Sequence, residues 1–219
     1  MVDGIYQSNG EVDKAFQPNA SAGDFRFRDI NGDNALTDAD RVMLGTPWPT
    51  LTYGMNMDFS YKGFDLNVLF QGVSGNEIFH VNKFTTYPVK YFGGSGVINA
   101  SADVLNRWTP ENGGNTVPIL KYTDLNGNYA NLSSFYVEDG SYLRLRNVTL
   151  GYTLPDPVFA KTTFIKRVRV YGSVQNALTF TKYSGFDPEV GSTNPLASGV
   201  DDGVYPMPRT FMFGLKASF

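Results

Sequence analysis

The sequence predicts an all-β chain built of the strands and long extracellular loops of a large antiparallel transmembrane β-barrel, with too few strands to complete that barrel. Three observations predict it. Aromatic residues make up 15% of the 219 residues, with 17 Phe and 13 Tyr, while charged residues reach only 18%, below the roughly 25% usual in soluble domains. Segments of about ten residues alternate strictly between apolar and polar side chains, the length a strand needs to cross a bilayer at a tilt. Between them lie turns and long Gly-, Asn- and Tyr-rich stretches, to which the 23 Gly contribute.

Residues 1–50 read as a loop holding an Asp/Asn-rich turn, and the clearest β signal follows at 51–73. Tyr53, Met55, Met57, Phe59 and Tyr61 share one face of the first arm, opposite Thr52, Gly54, Asn56, Asp58 and Ser60. That is period two, the strand period. Lys62-Gly63 predicts a tight turn, after which Phe64, Leu66, Val68 and Phe70 resume the apolar face.

From 74 to 139 the alternation is lost in a long loop region, with a short helix expected over 99–108, capped by Asn99 or Ser101. Strands return over 141–219. Leu143 and Leu145 take one parity while Val148, Leu150 and Tyr152 take the other, which predicts a β-bulge at Arg146-Asn147. A strand begins near Val168, a second loop covers about 183–207, and the chain closes on Phe211, Phe213, Leu215, Ala217 and Phe219. Five strands result, against a minimum of about eight for a membrane barrel.

Composition also excludes classes of function. The formal net charge of -3, without a basic stripe, argues against nucleic-acid binding. No Cys is present, so neither a disulfide framework nor a thiolate metal site is available. No run of about 18 apolar residues predicts a membrane helix. The start lacks the basic and apolar regions of an export signal, which is expected upstream. His80 is the single His, so a His-based metal or nucleophile site cannot be assembled, and nothing sets Asp201-Asp202 at glycosidase geometry. An enzyme is not expected.

Residues 29–40 match the oxygen-ligand spacing of a calcium loop, with Asp29, Asn31, Asp33, the Ala35 carbonyl, Thr37 and Asp40 at the ligand positions. Asn34 replaces the usual Gly and Asp40 the usual Glu. A run of Asx turns explains the same residues, and both readings stay open. Among the loop aromatics, Tyr87, Tyr91, Phe92, Trp108, Tyr122, Tyr129 and Tyr183 are candidates to stack on sugar rings or contact a peptide, or else to pack the loops together. Arg144 and Arg146 are candidates to face substrate, or to form ion pairs.

Four stretches, 24–40 (DFRFRDINGDNALTDAD), 52–75 (TYGMNMDFSYKGFDLNVLFQGVSG), 139–155 (DGSYLRLRNVTLGYTLP) and 168–190 (VRVYGSVQNALTFTKYSGFDPEV), occur in one order. With Asp3-Gly4-Ile5-Tyr6-Gln7 and Glu11-Val12-Asp13 before them, they resemble the SusC/RagA family of TonB-linked outer-membrane receptors of Bacteroidetes. The resemblance implies a C-terminal part of a plugged barrel of about 22 strands. It also implies uptake of glycans or peptides, energised by TonB, with a SusD-like surface lipoprotein as partner and outer-membrane lipid around the wall. The last strand resembles a barrel-assembly signal, with Gly214 and Phe219 at matching positions and Ala217 departing from it. The rival reading is a soluble calcium-stabilised glycan-binding module.

Overall fold

A computed structural model describes residues 1–88, 99–114, 116–155, 164–191 and 197–219. Among the described residues the strands, in chain order, are β1 (Val2–Ile5), β2 (Phe25–Phe27), β3 (Leu51–Tyr61), β4 (Phe64–Ser74), β5 (Glu77–His80), β6 (Val137–Asp139), β7 (Tyr142–Thr153), β8 (Arg167–Thr181), β9 (Val200–Asp201) and β10 (Thr210–Ser218), with an α-helix, α1 (Val81–Thr86). The chain divides into two compact units. One comprises Met1–Thr46, Ile78–Glu138 and Ser192–Gly203, the other Pro47–Glu77, Asp139–Gly191 and Val204–Phe219.

The second unit is a single five-stranded sheet in the order β10-β8-β7-β4-β3, every neighbouring pair antiparallel. Its strands follow one another as an up-and-down meander. The hairpin of β3 and β4 pairs Tyr61 with Phe64 and Leu51 with Ser74 without a break. Lys62 and Gly63 have φ of 48° and 87°, the two positive values that a type I′ turn demands. A side chain at Gly63 would meet the Thr153 carbonyl oxygen at 2.8 Å, so glycine is required there for space as well.

The expected bulge forms. Against β4, Leu69 pairs with Asn147 and Phe70 with Leu145, which leaves Arg146 as the extra residue. On its other side β7 meets a second irregularity, because Leu145 pairs with Leu178 while Asn147 pairs with Gln175. Asn176, with φ of 51°, takes up that step. The alternation seen in the sequence is interrupted there, and β8 therefore runs further than its clean pattern near Val168 suggested.

The first unit is where sequence and structure differ most. Residues 1–50 and 74–139 read as separate loops, yet most of both fold into one body. Here β1 pairs with β2, and β5 lies between β6 and β9, parallel to β9. Ile5, Phe16, Phe25, Phe27 and Trp108 form one buried cluster, and Tyr87, Val104, Val117 and Tyr129 another, with Phe135 packed against both. The helix expected over 99–108 is a 3-10 turn, Ala102–Asn106. Ser101 caps it by accepting from the Asp103 N–H at 3.2 Å. Only Val104 of this turn is buried while Leu105 is exposed, so it has no apolar stripe long enough to sustain an α-helix.

Beside the apolar clusters sits a polar core. Asp24, Gln17 and Asn128 are almost fully buried. The free edge of β2 is satisfied by side-chain amides instead of another strand: Phe25 N–H donates to Asn128 Oδ1 at 2.9 Å, Phe27 N–H to Gln17 Oε1 at 2.9 Å, and Gln17 Nε2 donates to the Phe25 carbonyl at 3.0 Å. Asp24 accepts from Asn128 Nδ2 at 2.8 Å and pairs with Lys121. Each buried polar group in this network therefore has a partner, which is what makes its burial tolerable.

Candidate functional site

The functional surface of this chain is a wall with two unlike faces. Following the register across the sheet, one face carries Tyr53, Met55, Met57, Phe59 and Tyr61 of β3, then Phe64, Leu66, Val68, Phe70 and Gly72 of β4. The bulge at Arg146 brings Leu143 and Leu145 onto the same face as Val148, Leu150 and Tyr152. Val170, Gly172, Val174, Leu178 and Phe180 of β8 and Phe211, Phe213 and Leu215 of β10 complete it. None of these positions is charged. Many are open: Phe213 is 88% exposed and Leu215 66%. At a strand spacing of about 4.8 Å and a rise of about 3.3 Å per residue such a face covers roughly 800 Å², above the about 300–600 Å² of the largest apolar patch on a typical soluble monomer.

The opposite face is polar and internally bonded. Asn67 Nδ2 donates to Asn56 Oδ1 at 2.9 Å and to Asp58 Oδ1 at 2.8 Å, and Asn147 Nδ2 donates to Asn67 Oδ1 at 3.3 Å. Arg169 pairs with Asp65 two strands away. These contacts tie β3, β4, β7 and β8 together on the side that apolar packing leaves untouched.

The centre of that face is an arginine cluster. Arg144, 1% exposed, donates from Nε to Thr179 Oγ1 at 2.9 Å, from Nη1 to Glu189 Oε2 at 2.9 Å and from Nη2 to Asp187 Oδ1 at 2.5 Å. Arg146 donates to Gln71 Oε1 at 3.0 Å, Asn176 Oδ1 at 3.2 Å and Glu189 Oε1 at 2.5 Å. Asp187 also accepts from the backbone N–H groups of Glu189 at 2.9 Å and Met207 at 3.0 Å. Burial works against its charge, but these N–H groups and Arg144 outweigh it and hold its carboxyl below the usual value. Both arginines thus pin the segment around 187–189 to the sheet. Asp187 and Glu189 are the partners that sequence reading missed; their alternate spacing in the 168–190 stretch was the available signal.

The loop aromatics are mostly packing residues. Tyr87 is buried and its hydroxyl donates to Asp103 Oδ2 at 2.8 Å; burial, with Asp103 beside it, pushes that hydroxyl's pKa well up. Trp108 is buried and its Nε1 donates to Gln7 Oε1 at 3.0 Å. Tyr129 and Tyr183 are buried as well, whereas Tyr122 is 63% exposed. Tyr91 and Phe92 lie outside the described residues. The structure does not bring these aromatics together around a common cleft among the described residues.

The loop at 29–40 is closed by its own hydrogen bonds. Asp29 accepts from the N–H groups of Gly32 at 2.7 Å and Asn34 at 2.9 Å, and Asp33 from that of Ala35 at 2.8 Å. Asp40 accepts from Ile30 at 2.8 Å and Thr37 at 2.9 Å, bonds that lower its pKa, and with Thr37 it forms a capping box. Asn34 has φ of 57°, the conformation expected for the position where a calcium loop has Gly. Among the described residues no group of three or more His, Cys, Asp or Glu is arranged to hold a metal ion. As folded, the loop is a chain of Asx turns.

His80 Nδ1 lies 3.2 Å from Glu138 Oε1, which Lys83 also approaches at 2.6 Å. Asp201 is buried while Asp202 is exposed, so this pair does not present two carboxylates to one cleft. Gly214 has a packing reason: a side chain there would collide with the Tyr171 ring, its cross-strand partner. Phe219 is exposed and its ring stands 4.9 Å from that of Phe164.

A five-stranded meander with one uncharged apolar face, one bonded polar face and strands of 9 to 15 residues is the wall of a membrane-spanning β-barrel. Among the described residues no helix is long and apolar enough to cross a membrane. No family model matches the chain. It is similar over 99% of its length to TonB-dependent receptor P3 of Formosa agariphila, at 38% identity, and to receptor P26 of the same organism, at 34%. It is 28% identical over 88% of its length to the TonB-dependent receptor SusC of Bacteroides thetaiotaomicron. The RagAB peptide importer in its closed-closed state superposes on 81% of the chain with a TM-score of 0.66 and 31% identity. The chain belongs with the TonB-dependent receptors of the SusC/RagA kind. It spans about a fifth of the length of the relatives P3 and P26, 21% and 22%.

Proposed function

We propose that this chain forms part of the barrel wall and loops of an outer-membrane, TonB-dependent importer that takes up glycans or peptides together with a SusD-like surface lipoprotein, with no catalytic role. The observation that carries the proposal is the uncharged apolar face across all five strands of the sheet. Lipid solvates such a face at no cost, whereas water would not. The similarity to RagAB, a peptide importer, and to SusC supports import as the activity and a lipoprotein as the partner. The exposed apolar face also disfavours the soluble glycan-binding module.

The test uses the full-length receptor in its own cells. Tagged receptor should fractionate with the outer membrane, require detergent for extraction and bring a surface lipoprotein with it in near-stoichiometric amount. Deleting the receptor should stop uptake of labelled oligosaccharides or oligopeptides, one class and not the other. Recovery of the receptor in the soluble fraction would end the proposal.

A further inference from the structure

We infer that two segments, 183–189 and 205–208, are folded into the mouth of the barrel, where Phe186 and Tyr205 form an aromatic contact site for the imported molecule. The inference rests on the sheet being the membrane wall of an importer, and it assigns that importer two substrate-contacting residues. It starts from the register. Gln71, Arg144 and Thr179 pair across β4, β7 and β8 on the face opposite the apolar one, so in a barrel their side chains look into the lumen. They lie two or three residues inside the strand ends at Ser74, Tyr142 and Thr181, about 7–10 Å along the strands. These ends are remote from the two-residue Lys62-Gly63 turn. Short turns face the periplasm, so these are the extracellular ends.

Both segments are fastened to that inner face. Arg144 holds Asp187 and Glu189, and Arg146 reaches Glu189 as well. Asp187 Oδ2 accepts from the Met207 N–H at 3.0 Å, and Asn176 Nδ2 donates to the Pro208 carbonyl at 3.1 Å. The second segment is thereby tied to the first and to β8. The first is also braced from within, because the Tyr183 N–H donates to Thr181 Oγ1 at 3.0 Å and a side chain at Gly185 would collide with the Tyr183 ring. A layer packed on a sheet stands about 10 Å from it. The two segments therefore project inward from the wall and narrow the passage.

What they leave uncovered is aromatic. Asp187 and Glu189 are engaged with the wall, whereas Phe186, beside Asp187, is 72% exposed and Tyr205 is 86% exposed. Within the strands, exposed rings such as Phe59, Phe180, Phe211 and Phe213 lie on the lipid side. Lipid does not reach the polar face. Phe186 and Tyr205 are therefore left bare for another partner, the molecule that passes them. Two aromatic rings suit an apolar, C–H-rich surface such as one face of a sugar ring or an apolar side chain. A backbone already fixed by Arg144 and Arg146 makes that contact with little further loss of freedom.

The experiment uses full-length receptor in intact cells, freed of other reactive cysteines. Phe186→Cys should react with a small membrane-impermeant maleimide but not with one carried on a polymer too large to enter the barrel. Phe213→Cys, on the lipid side, should react with neither. Phe186→Ala with Tyr205→Ala should reach the outer membrane in normal amount, yet need about tenfold more labelled oligosaccharide, or labelled oligopeptide, for half-maximal uptake. Whichever of the two labelled oligomers shifts names the source of the apolar surface. A Phe186→Cys thiol silent to both reagents is buried, and one that reacts with both lies on the outer surface. Either result, or unchanged uptake by the double alanine variant, overturns the inference alone. Labelling of Phe213→Cys defeats the membrane reading, and natural receptor that takes up neither oligomer defeats the importer reading and this inference with it.

Discussion

The two units of this chain bury opposite things. In the unit built from Met1–Thr46 and Ile78–Glu138 the inside holds Phe25, Trp108, Tyr129 and Tyr136, as in a protein folded in water. In the sheet the most deeply buried large side chain is Arg144, while Phe59, Phe211, Phe213 and Leu215 are exposed. The same chemical alphabet is thus arranged for two solvents. Where water surrounds the chain, apolar burial provides the stability and polar atoms inside must be matched individually, as Asn128 and Gln17 match the edge of β2. Where hydrocarbon surrounds it, apolar groups gain little by hiding, and the hydrogen bonds and ion pairs of the polar face hold the strands in place.

The sharpest way to break this contrast is at Arg144. Arg144→Ala leaves the buried Asp187 with its two backbone N–H donors but no cation, and should destabilise the folded receptor by about 3–5 kcal/mol. Urea unfolding in bilayers would measure it, with faster hydrogen exchange around 183–191. Arg144→Lys should recover only part, since one ammonium cannot reproduce the fork that reaches Thr179, Glu189 and Asp187. A loss below about 1 kcal/mol for Arg144→Ala would mean that the cluster does not hold the segment.

Next in size is the apolar face. Met57→Arg should cost about 2–4 kcal/mol near the bilayer midplane, and Asn56→Arg, one residue along and on the other face, much less. Equal costs would erase the difference between the faces. In the water-solvated unit, Asn128→Ala should cost about 1–3 kcal/mol, because the Phe25 N–H loses its acceptor. The Phe25 amide should then exchange faster while the amides of β7 are unchanged.

The smallest effect is a pH dependence at 29–40. The Ile30 and Thr37 N–H groups hold the Asp40 pKa below its unfolded value of about 3.9. The sign follows from linkage: this stabilisation is fully present above the unfolded value and is lost as pH falls through the lower, folded one. Exchange of the loop amides, corrected for intrinsic rates, should be flat above about pH 5 and rise below about pH 4, and Asp40→Asn should remove the dependence.

Much of the wall was legible because a strand writes its two faces into alternate residues. The hairpin of β3 and β4, its Lys62-Gly63 turn and the bulge at Arg146 all follow from local alternation, including the place where it changes phase. The first unit was not legible for a physical reason. Its contacts join residues far apart, such as Gln7 to Trp108 and Asp24 to Asn128, and its edge is satisfied by amide side chains that leave no period. Site residues divide the same way. Arg144 could be placed on a strand from sequence, but its partners Asp187 and Glu189 come from a segment whose path no alternation describes.

The glycines of the sheet give one further result. Tyr53 lies against Gly72, its partner across the hairpin, so closely that a side chain at Gly72 would sit 2.6 Å from the ring, and its hydroxyl donates to the Tyr142 carbonyl at 3.2 Å. Tyr171 lies over Gly214 in the same manner on the polar side. In each pair the ring occupies the volume that the glycine vacates, so neither position is free to drift alone. Among related receptors these should behave as two-letter words: a larger residue at the glycine position accompanied by a smaller one in place of the tyrosine. Such linked changes would report the pairing of strands in relatives for which only sequences are known.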